Sequence, residues 1–254
     1  MDTPQYISFV FPGLESVVCI FGTRLGGGSS GDFSQGNISL EVGDVRDRAM
    51  ANRAHLQREL VFSRWVELEQ VHGDQVHFDP AGDFEQGPRL QGDGIGISEP
   101  GAAAVIKTAD CQPVFLVHAS GRYVCALHCG WRGNRAGFPE TGVREFCRHY
   151  GLSPAEIMAV RGPSLGPCCA RFEPFHEHWG SDFYDYYQTD LQTMDLWALT
   201  RDQLARGGLA RENIFSLDLC TKCLEDLFFS YRREKRSGRQ ANLVFIRHGS
   251  RNGM

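Results

Sequence analysis

Residues 101–138, GAAAVIKTADCQPVFLVHASGRYVCALHCGWRGNRAGF, decide the fold. They contain three short apolar runs bounded by glycine, proline and polar residues, at 103–106, 114–117 and 123–127. Apolar runs of about four to eight residues with such boundaries are typical of buried strands. The sequence therefore predicts three neighbouring strands, with Cys111 near the end of one and His128 at the end of another.

A glycine-rich corner follows His128 directly, as Gly130-Trp131-Arg132-Gly133. Glycine lets a backbone approach a ligand closely, and the planar fork of an arginine suits phosphate or carboxylate. Strand ends that converge in this way commonly carry chemistry. We expect the functional site to lie at this corner.

The composition limits the function classes. The chain has 254 residues, of which 42% are hydrophobic, and a net charge of −5. A pI near 6.0 argues against a nucleic-acid partner, and no apolar stretch approaches the roughly 18 residues of a membrane span. The N-terminus lacks a signal pattern, and nine cysteines favour free thiols in a reducing compartment. We expect a cytoplasmic protein that binds neither nucleic acid nor membrane.

The rest of the chain predicts alternating strands and helices. The predicted strands lie at 5–22 (a pair), 65–71, 95–98 and 243–246, and the predicted helices at 44–60, 140–150, 196–204 and, as shorter segments, from 153 and over 224–228. We find no linker and no internal repeat, so we predict one α/β (α+β) domain over residues 1–254.

Three potential metal ligands, His72, Cys111 and His128, each lie at or near a predicted strand end. Two imidazoles and a thiolate can bind zinc and leave a fourth position for water or substrate. The same residues also allow a Cys-His nucleophile pair. The remaining alternative is two unrelated histidines and a buried cysteine, and spacing alone does not decide among the three.

Three further features leave alternatives open. Cys220 and Cys223 form a single Cys-x-x-Cys, which without a second pair does not predict structural zinc. Asp110 either orients a ligand or caps the turn before Cys111. The loop at 22–31 is either flexible or a lid carrying Arg24.

Several motifs occur together in a fixed order: TRLGG at 23–27, Asn37, Asn52-Arg53, EQVHG at 69–73, TADCQP at 108–113, HCGWRG at 128–133, GPSLGPC at 162–168, FFSYRR at 228–233 and SGR at 237–239. In these motifs the chain resembles the YfiH/laccase-domain family. Its members were first called polyphenol oxidases and more recently purine nucleoside phosphorylases. The resemblance covers residues from about 20 to the end.

The resemblance implies packed mixed β-sheets flanked by helices. It also implies that His72, Cys111 and His128 form the catalytic and metal-binding trio, usually with Zn²⁺. The implied substrates are phosphate and purine nucleosides, namely adenosine, inosine, guanosine and S-methyl-5′-thioadenosine, with adenosine deamination in some members. We expect a monomer or homodimer.

Arginines near the matching motifs suit a phosphate substrate. We expect Arg53 and Arg132 to anchor the anion and Arg24 and Arg232 to close the site. Asn37 is grouped with these substrate-binding residues.

Two rival functions differ in class. Copper-dependent phenol oxidation follows the older family name, but a multicopper site needs many histidines and this chain has nine. A binding role, for example in quality control of cell-wall precursors, would make the metal structural. Substitution of Cys111 separates catalysis from structure, because a structural metal adds to folding stability.

Overall fold

The computed structural model describes residues 3–83, 85 and 87–248. The strands in this part of the chain are β1 (Tyr6–Phe9), β2 (Val17–Gly22), β3 (Arg64–Val66), β4 (Val76–Phe78), β5 (Gly94–Ile97), β6 (Ala102–Thr108), β7 (Gln112–His118), β8 (Val124–Cys129), β9 (Ile157–Arg161), β10 (Tyr187–Gln188), β11 (Thr193–Met194), β12 (Ile214–Ser216) and β13 (Gln240–Ile246). The α-helices are α1 (Arg46–Leu60), α2 (Trp131–Arg135), α3 (Phe138–Tyr150), α4 (Phe175–His178), α5 (Leu196–Arg206) and α6 (Tyr231–Glu234). Short 3₁₀ turns cover Gly31–Phe33, Pro154–Glu156, Ser181–Tyr186 and Arg211–Asn213.

The strands form three sheets. One has the order β1-β2-β13-β6-β3, the next β12-β9-β7-β8-β5-β4, and the small third sheet pairs β10 with β11. Both large sheets are antiparallel in their centres. The first ends in one parallel pair, β3 with β6, and the second in two, β4 with β5 and β12 with β9. This mixed architecture with flanking helices confirms the predicted α/β fold.

The two large sheets pack face to face around the main core. Phe21 of β2 and Phe115 of β7 stack across the interface with ring centroids 4.9 Å apart. Alternation along β6 sends Ala104 and Ile106 into this core and Ala103 and Val105 to the opposite face. Because both faces of β6 are covered, its sequence is apolar without alternation.

Helices cover the outer faces of the two sheets. Leu56 of α1 packs on the outer face of the first sheet, beside Val105. Val143 and Phe146 of α3 pack on the second sheet, against the face that carries Leu116. Within the described chain, we find no helix that combines the length and the apolar character that crossing a bilayer requires.

The three central strands match the prediction closely. β6 extends to Thr108 and β7 begins at Gln112, so the polar connection shrinks to a turn of residues 109–111. Asp110 within it has a φ of 92°. β8 ends at Cys129, which places His128 inside the strand, next to its last residue.

Other predicted elements differ from the structure. Of the strand expected at 65–71, only the part within β3 is regular. Further along, Glu69 pairs with Gln91 in an isolated bridge outside the named strands. The helix expected from residue 153 is a single 3₁₀ turn that runs directly into β9. No helix forms over 224–228, where turns replace it and the Arg233 side chain binds the carbonyl of Phe228 at 2.7 Å.

A candidate metal centre facing a polar cavity

His72, Cys111 and His128 meet in the structure. Their ligand atoms lie within 4.8 Å of one another, with Cys111 Sγ 3.8 Å from His72 Nε2 and the two imidazole centroids 4.9 Å apart. His128 is buried in β8, Cys111 is the last residue of the β6–β7 turn, and His72 is exposed in the loop after β3. Two imidazoles and a thiol at this separation can hold one metal ion.

A single buried carboxylate, Asp93, positions two members of this trio. Its Oδ1 lies 2.7 Å from His128 Nδ1, which leaves Nε2 of that ring as the free ligand atom. The same carboxylate accepts hydrogen bonds from the backbone N–H groups of His72 at 3.0 Å and Gly73 at 2.7 Å. These bonds hold His72 in the left-handed region, at a φ of 60°, which a residue with a side chain rarely adopts.

Two local features bring the three segments close together. Gln70 donates to the carbonyl of Lys107 at 2.9 Å and accepts from its N–H at 2.8 Å, which fastens the loop before His72 to the end of β6. Gly130 has no side chain, and a Cβ there would lie 2.8 Å from His72 Cδ2 and 3.3 Å from Cys111 Sγ. Glycine is therefore required sterically beside the trio.

The trio is strongly polarised without a metal. Burial opposes ionisation of the Cys111 thiol, but the charge of His128 and hydrogen bonds from both histidines outweigh it and lower the pKa to about 6. For His128, burial favours the neutral ring, yet the Cys111 thiolate and Asp93 raise its pKa to about 9. Without a metal, Cys111 and His128 therefore each favour the charged form of the other.

The trio forms one wall of a cavity of about 730 Å³. Besides the trio, charged and polar side chains line it, including Glu41, Glu69, Gln70, Lys107, Arg132, Tyr231 and Arg239. This volume lies in the usual range of ligand sites, about 300–1,000 Å³. The charged and polar side chains on its wall suit a polar ligand.

Arg132 lines this cavity, as the sequence predicts for an anion-binding arginine. It is exposed at the start of α2 and lies over the Trp131 ring, 4.4 Å from the centroid. Arg239 lines the cavity too, and its only signal in the sequence is the SGR motif at 237–239. Burial lowers the pKa of Arg239, and the nearby charges of Cys111 and Asp110 oppose that shift.

Arg53 lies elsewhere, fully buried beneath the first sheet. Its guanidinium forms an ion pair with Glu67 at 2.8 Å, donates to the carbonyl of Ile38 at 2.7 Å and lies over the Trp65 ring. These contacts stabilise the packing of α1 on the sheet. Arg53 does not line the cavity.

Arg24 and Arg232 also point away from the cavity lining. Arg24 pairs with Glu234 at 3.0 Å, and Arg232 donates to the carbonyl of Arg171 at 2.8 Å. The loop at 22–31 is fastened to α1, since Gly28 N–H donates to Asn52 Oδ1 at 2.9 Å. These contacts favour an ordered loop over a flexible one, and they direct Arg24 toward α6.

Asn37 acts on the cavity through its neighbours. It is fully buried, and its Oδ1 accepts hydrogen bonds from the N–H groups of Ser39 at 3.1 Å and Arg239 at 2.9 Å. Ser39 and Arg239 both line the cavity, so Asn37 positions two of its walls.

The bonds of the Asp110 carboxylate join its turn to two distant segments rather than capping the turn itself. Its carboxylate accepts from Thr221 Oγ1 at 2.7 Å and from the N–H of Arg232 at 2.6 Å, and no contact joins it to a histidine of the trio. Asp93 holds the ligands instead. Its only sequence signal is an acidic residue just before a predicted strand, which many surface turns share.

Comparisons with known proteins agree with this geometry. The profile of a family described as multi-copper polyphenol oxidoreductase laccase matches residues 18–247. The chain belongs to this family. Among solved structures, YlmD from Geobacillus stearothermophilus superposes on this protein with a TM-score of 0.85 and 29% identity. The match covers 98% of this chain and 100% of the YlmD chain. YfiH from Bacillus licheniformis superposes with a TM-score of 0.82 and 26% identity, covering 94% of this chain and 96% of that one.

Two relatives of this chain are named for the same enzymatic activity. The Escherichia coli protein called purine nucleoside phosphorylase YfiH is 33% identical over 243 residues, covering 93% of this chain and 96% of its own length. Purine nucleoside phosphorylase YlmD from Geobacillus stearothermophilus is 30% identical over 249 residues, covering 88% of each chain.

Proposed function

We propose that this protein is a purine nucleoside phosphorylase acting on adenosine, inosine, guanosine and S-methyl-5′-thioadenosine. The observation that carries the proposal is that the His72–Cys111–His128 trio and two arginines face one polar cavity. Phosphorolysis requires an anion site beside a group that stabilises the departing base, and the cavity has candidates for both. The names of the relatives support the same reaction.

Arg239 and Arg132 are the proposed phosphate ligands. Arg239 Nη1 donates to the carbonyls of Ser237 at 2.8 Å and Gly238 at 2.9 Å, so its guanidinium is held in place before a ligand arrives. Arg132 is exposed at the rim and can move toward the bound anion. A fixed and a mobile guanidinium together favour phosphate over neutral molecules of similar size.

Carboxylates on the cavity wall are the proposed ligands of the sugar hydroxyls. Glu41 and Glu69 both line the cavity, and each offers acceptor oxygens to a ribose hydroxyl. Lys107 Nζ lies 3.1 Å from Glu41 and 3.4 Å from Glu67, so its charge is largely balanced. A phosphate is repelled by these carboxylates and directed to the arginines.

The donor set of the trio fits zinc better than copper. Zinc sites with three protein ligands and one open position are typical of catalysis, and exposed His72 opens the trio to the cavity. A multicopper site needs many histidines arranged around several ions, and among the described residues two histidines, His72 and His128, line the cavity. A zinc ion held here would supply Lewis acidity at that end of the cavity.

Asp93 fixes the orientation of the groups around the proposed zinc position. Asp93 keeps the His128 ring in one orientation and one tautomer, with Nε2 directed to the trio. It also fixes the backbone at His72. A purine that binds beside the trio therefore contacts groups that are already oriented, and these groups need little reorganisation during bond cleavage.

The open side of the trio also favours a second activity, the deamination of adenosine. In that reaction water, rather than phosphate, attacks, and the purine ring rather than the sugar is the target. The two activities therefore differ in their dependence on phosphate.

Product analysis tests the proposal. Metal-quantified protein is incubated with adenosine, inosine and S-methyl-5′-thioadenosine, with and without phosphate, and the products are separated by chromatography. We expect free base and the sugar 1-phosphate only when phosphate is present, and their loss in Cys111→Ala. Cys147→Ala, in α3, is the matched control, because it removes a buried thiol that does not line the cavity.

Other outcomes identify other functions. Inosine formed from adenosine without phosphate would identify deamination as the main activity. No turnover of any nucleoside by folded, metal-loaded protein would contradict the phosphorylase proposal and favour a binding role.

A further inference from the structure

A second group of potential metal ligands lies outside the cavity. Cys168, Cys169, Cys220 and Cys223 place their sulfur atoms within 4.8 Å of one another. Cys223 Sγ lies 3.5 Å from Cys168 Sγ and 3.4 Å from Cys169 Sγ. We call these residues the four-cysteine cluster.

The spacing of these sulfurs suits one tetrahedral ion. A Zn–S bond of about 2.3 Å places the sulfurs of a tetrahedral site about 3.8 Å apart. A disulfide requires about 2.05 Å, much shorter than the two sulfur–sulfur distances above. An iron–sulfur cluster spreads its four cysteines over two or more irons, which needs a wider arrangement than sulfurs that all lie within 4.8 Å.

The backbone around the cluster turns so that each cysteine reaches the same point. Cys169 N–H bonds to the carbonyl of Gly166 at 2.9 Å, which closes the turn that brings both adjacent cysteines to one side. Leu224 N–H bonds to the carbonyl of Cys220 at 3.0 Å and closes the turn of the Cys-x-x-Cys segment. Gly166 N–H also donates to Cys220 Sγ at 3.3 Å, a contact typical of thiolates that bind metal.

Positive charge and close packing support the cluster further. The Arg233 guanidinium donates to the carbonyls of Thr221 at 3.0 Å and Lys222 at 3.1 Å, inside the Cys-x-x-Cys turn. Four thiolates on a divalent cation leave a net negative charge, which a guanidinium at this position offsets. A Cβ on Gly166 would lie 3.1 Å from Cys220 Cβ, so this close approach depends on glycine.

We propose that the four-cysteine cluster binds one structural zinc ion. The ion would join the loop after β9 to the loop after β12, two segments that also pair through an isolated bridge between Ser164 and Cys220. A closed set of four thiolates leaves no position for substrate, so this ion stabilises structure and takes no part in the reaction.

The proposed ion also connects to the trio through Asp110. Leu165 N–H donates to the Asp110 carbonyl at 2.9 Å, and Thr221 Oγ1 donates to its carboxylate at 2.7 Å. These two residues belong to the two loops that the ion would join, and Asp110 immediately precedes Cys111. The four-cysteine cluster therefore holds the turn that presents one member of the trio.

Metal analysis in a chain that lacks the trio's thiol tests this inference independently of the proposed function. Cys111→Ala protein, prepared under reducing conditions and equilibrated with a zinc buffer, should retain about one zinc per chain. Adding Cys168→Ser and Cys223→Ser should abolish that zinc. Both of these cysteines are exposed, so serine there leaves the core intact. Adding Cys147→Ser instead, as the matched control, should leave the zinc in place.

Cobalt replacement and thermal unfolding supply further readouts. Cobalt in Cys111→Ala protein should give the intense visible and sulfur-to-metal absorption of a tetrahedral tetrathiolate. A chelator should lower the Tm of Cys111→Ala but leave that of the triple variant unchanged. Absence of zinc from folded Cys111→Ala, retention of zinc by the triple variant, or a disulfide among these cysteines in freshly prepared protein would each overturn the inference.

Discussion

The trio and the four-cysteine cluster use similar ligands in opposite surroundings. Asp93, which is fully buried, positions two members of the trio, and the trio opens onto a cavity of about 730 Å³. A backbone N–H, from Gly166, contacts a sulfur of the cluster, and none of the four cysteines lines that cavity. The difference indicates that the identity of the ligands does not separate a reactive site from a structural one. In the proposed assignment, the cavity beside the trio and the closed set of four sulfurs in the cluster separate the two.

The largest expected difference concerns turnover after loss of one thiol from each region. Cys111→Ala should lower phosphate-dependent nucleoside turnover by on the order of 10³-fold, more than the roughly 10–100-fold typical when a hydrogen-bond partner of a metal ligand is removed. Cys168→Ser should lower it only a few-fold. Initial rates at saturating phosphate measure both. Equal losses in the two variants would contradict a division of roles between the regions.

Thiol reactivity distinguishes the two regions in reduced, metal-free protein. The pKa of Cys111 is lowered to about 6, whereas burial and a hydrogen bond with Cys223 raise that of Cys169 to about 11. At pH 7 Cys111 is mostly thiolate, although a thiolate of low pKa is intrinsically less nucleophilic. Combining both effects, iodoacetamide should label Cys111 roughly 100-fold faster.

The pH profile of this labelling is a second check. The Cys111 rate should fall as the pH drops below about 6 and stay level above it, while the Cys169 rate should rise up to about pH 11. Peptide mapping by mass spectrometry follows both sites in one sample. Parallel profiles would contradict the assigned polarisation.

Asp93→Asn tests whether the carboxylate positions the trio. Loss of its charge should reduce turnover and zinc affinity by roughly 10–100-fold and destabilise the fold by about 2 kcal/mol. Asp79→Asn is the control, because that carboxylate also accepts several hydrogen bonds, but from Ser98 N–H, Ser98 Oγ and Tyr150 rather than from the trio. The control should lose stability while keeping its turnover, and an equal loss of turnover in both would show that Asp93 acts only on stability.

The smallest expected effect concerns the link between the two regions. Thr221→Val removes the hydrogen bond to Asp110 and should cost about 1–2 kcal/mol of unfolding free energy and a few-fold in turnover. Thr221→Ser keeps the hydroxyl and should restore both. Turnover in Thr221→Val equal to that of the unchanged chain would show that the cluster does not act on the trio through Asp110.

Strands that are buried on both faces could be predicted from the sequence. The apolar runs of β6, β7 and β8 are continuous because helices and the opposite sheet cover them. The helix expected over 224–228 is wrong. The spacing of its apolar residues reports only local sequence, whereas Arg233 and Arg24, which lie outside the segment, bind backbone carbonyls of that segment.

The site was partly predictable for a similar reason. Cys111 and His128 lie on neighbouring strands of the predicted group, so their proximity follows from strand pairing. Arg53 could not be placed, because its ion pair with Glu67 joins a helix to a segment that the sequence predicts as a strand. The partners of Cys220 and Cys223 were also missed, since they are adjacent cysteines rather than a second Cys-x-x-Cys.

The position of β13 has a consequence for how the protein is made. This strand lies between β2 and β6 and forms hydrogen bonds to both, with contacts that span 134 residues of sequence, as between Asn242 and Thr108. During synthesis β2 and β6 emerge from the ribosome well before β13, so each must wait with an unpaired edge. The first sheet is therefore completed late, after translation of the segments that bear all three members of the trio. Chaperones that shield strand edges should increase the yield of folded protein.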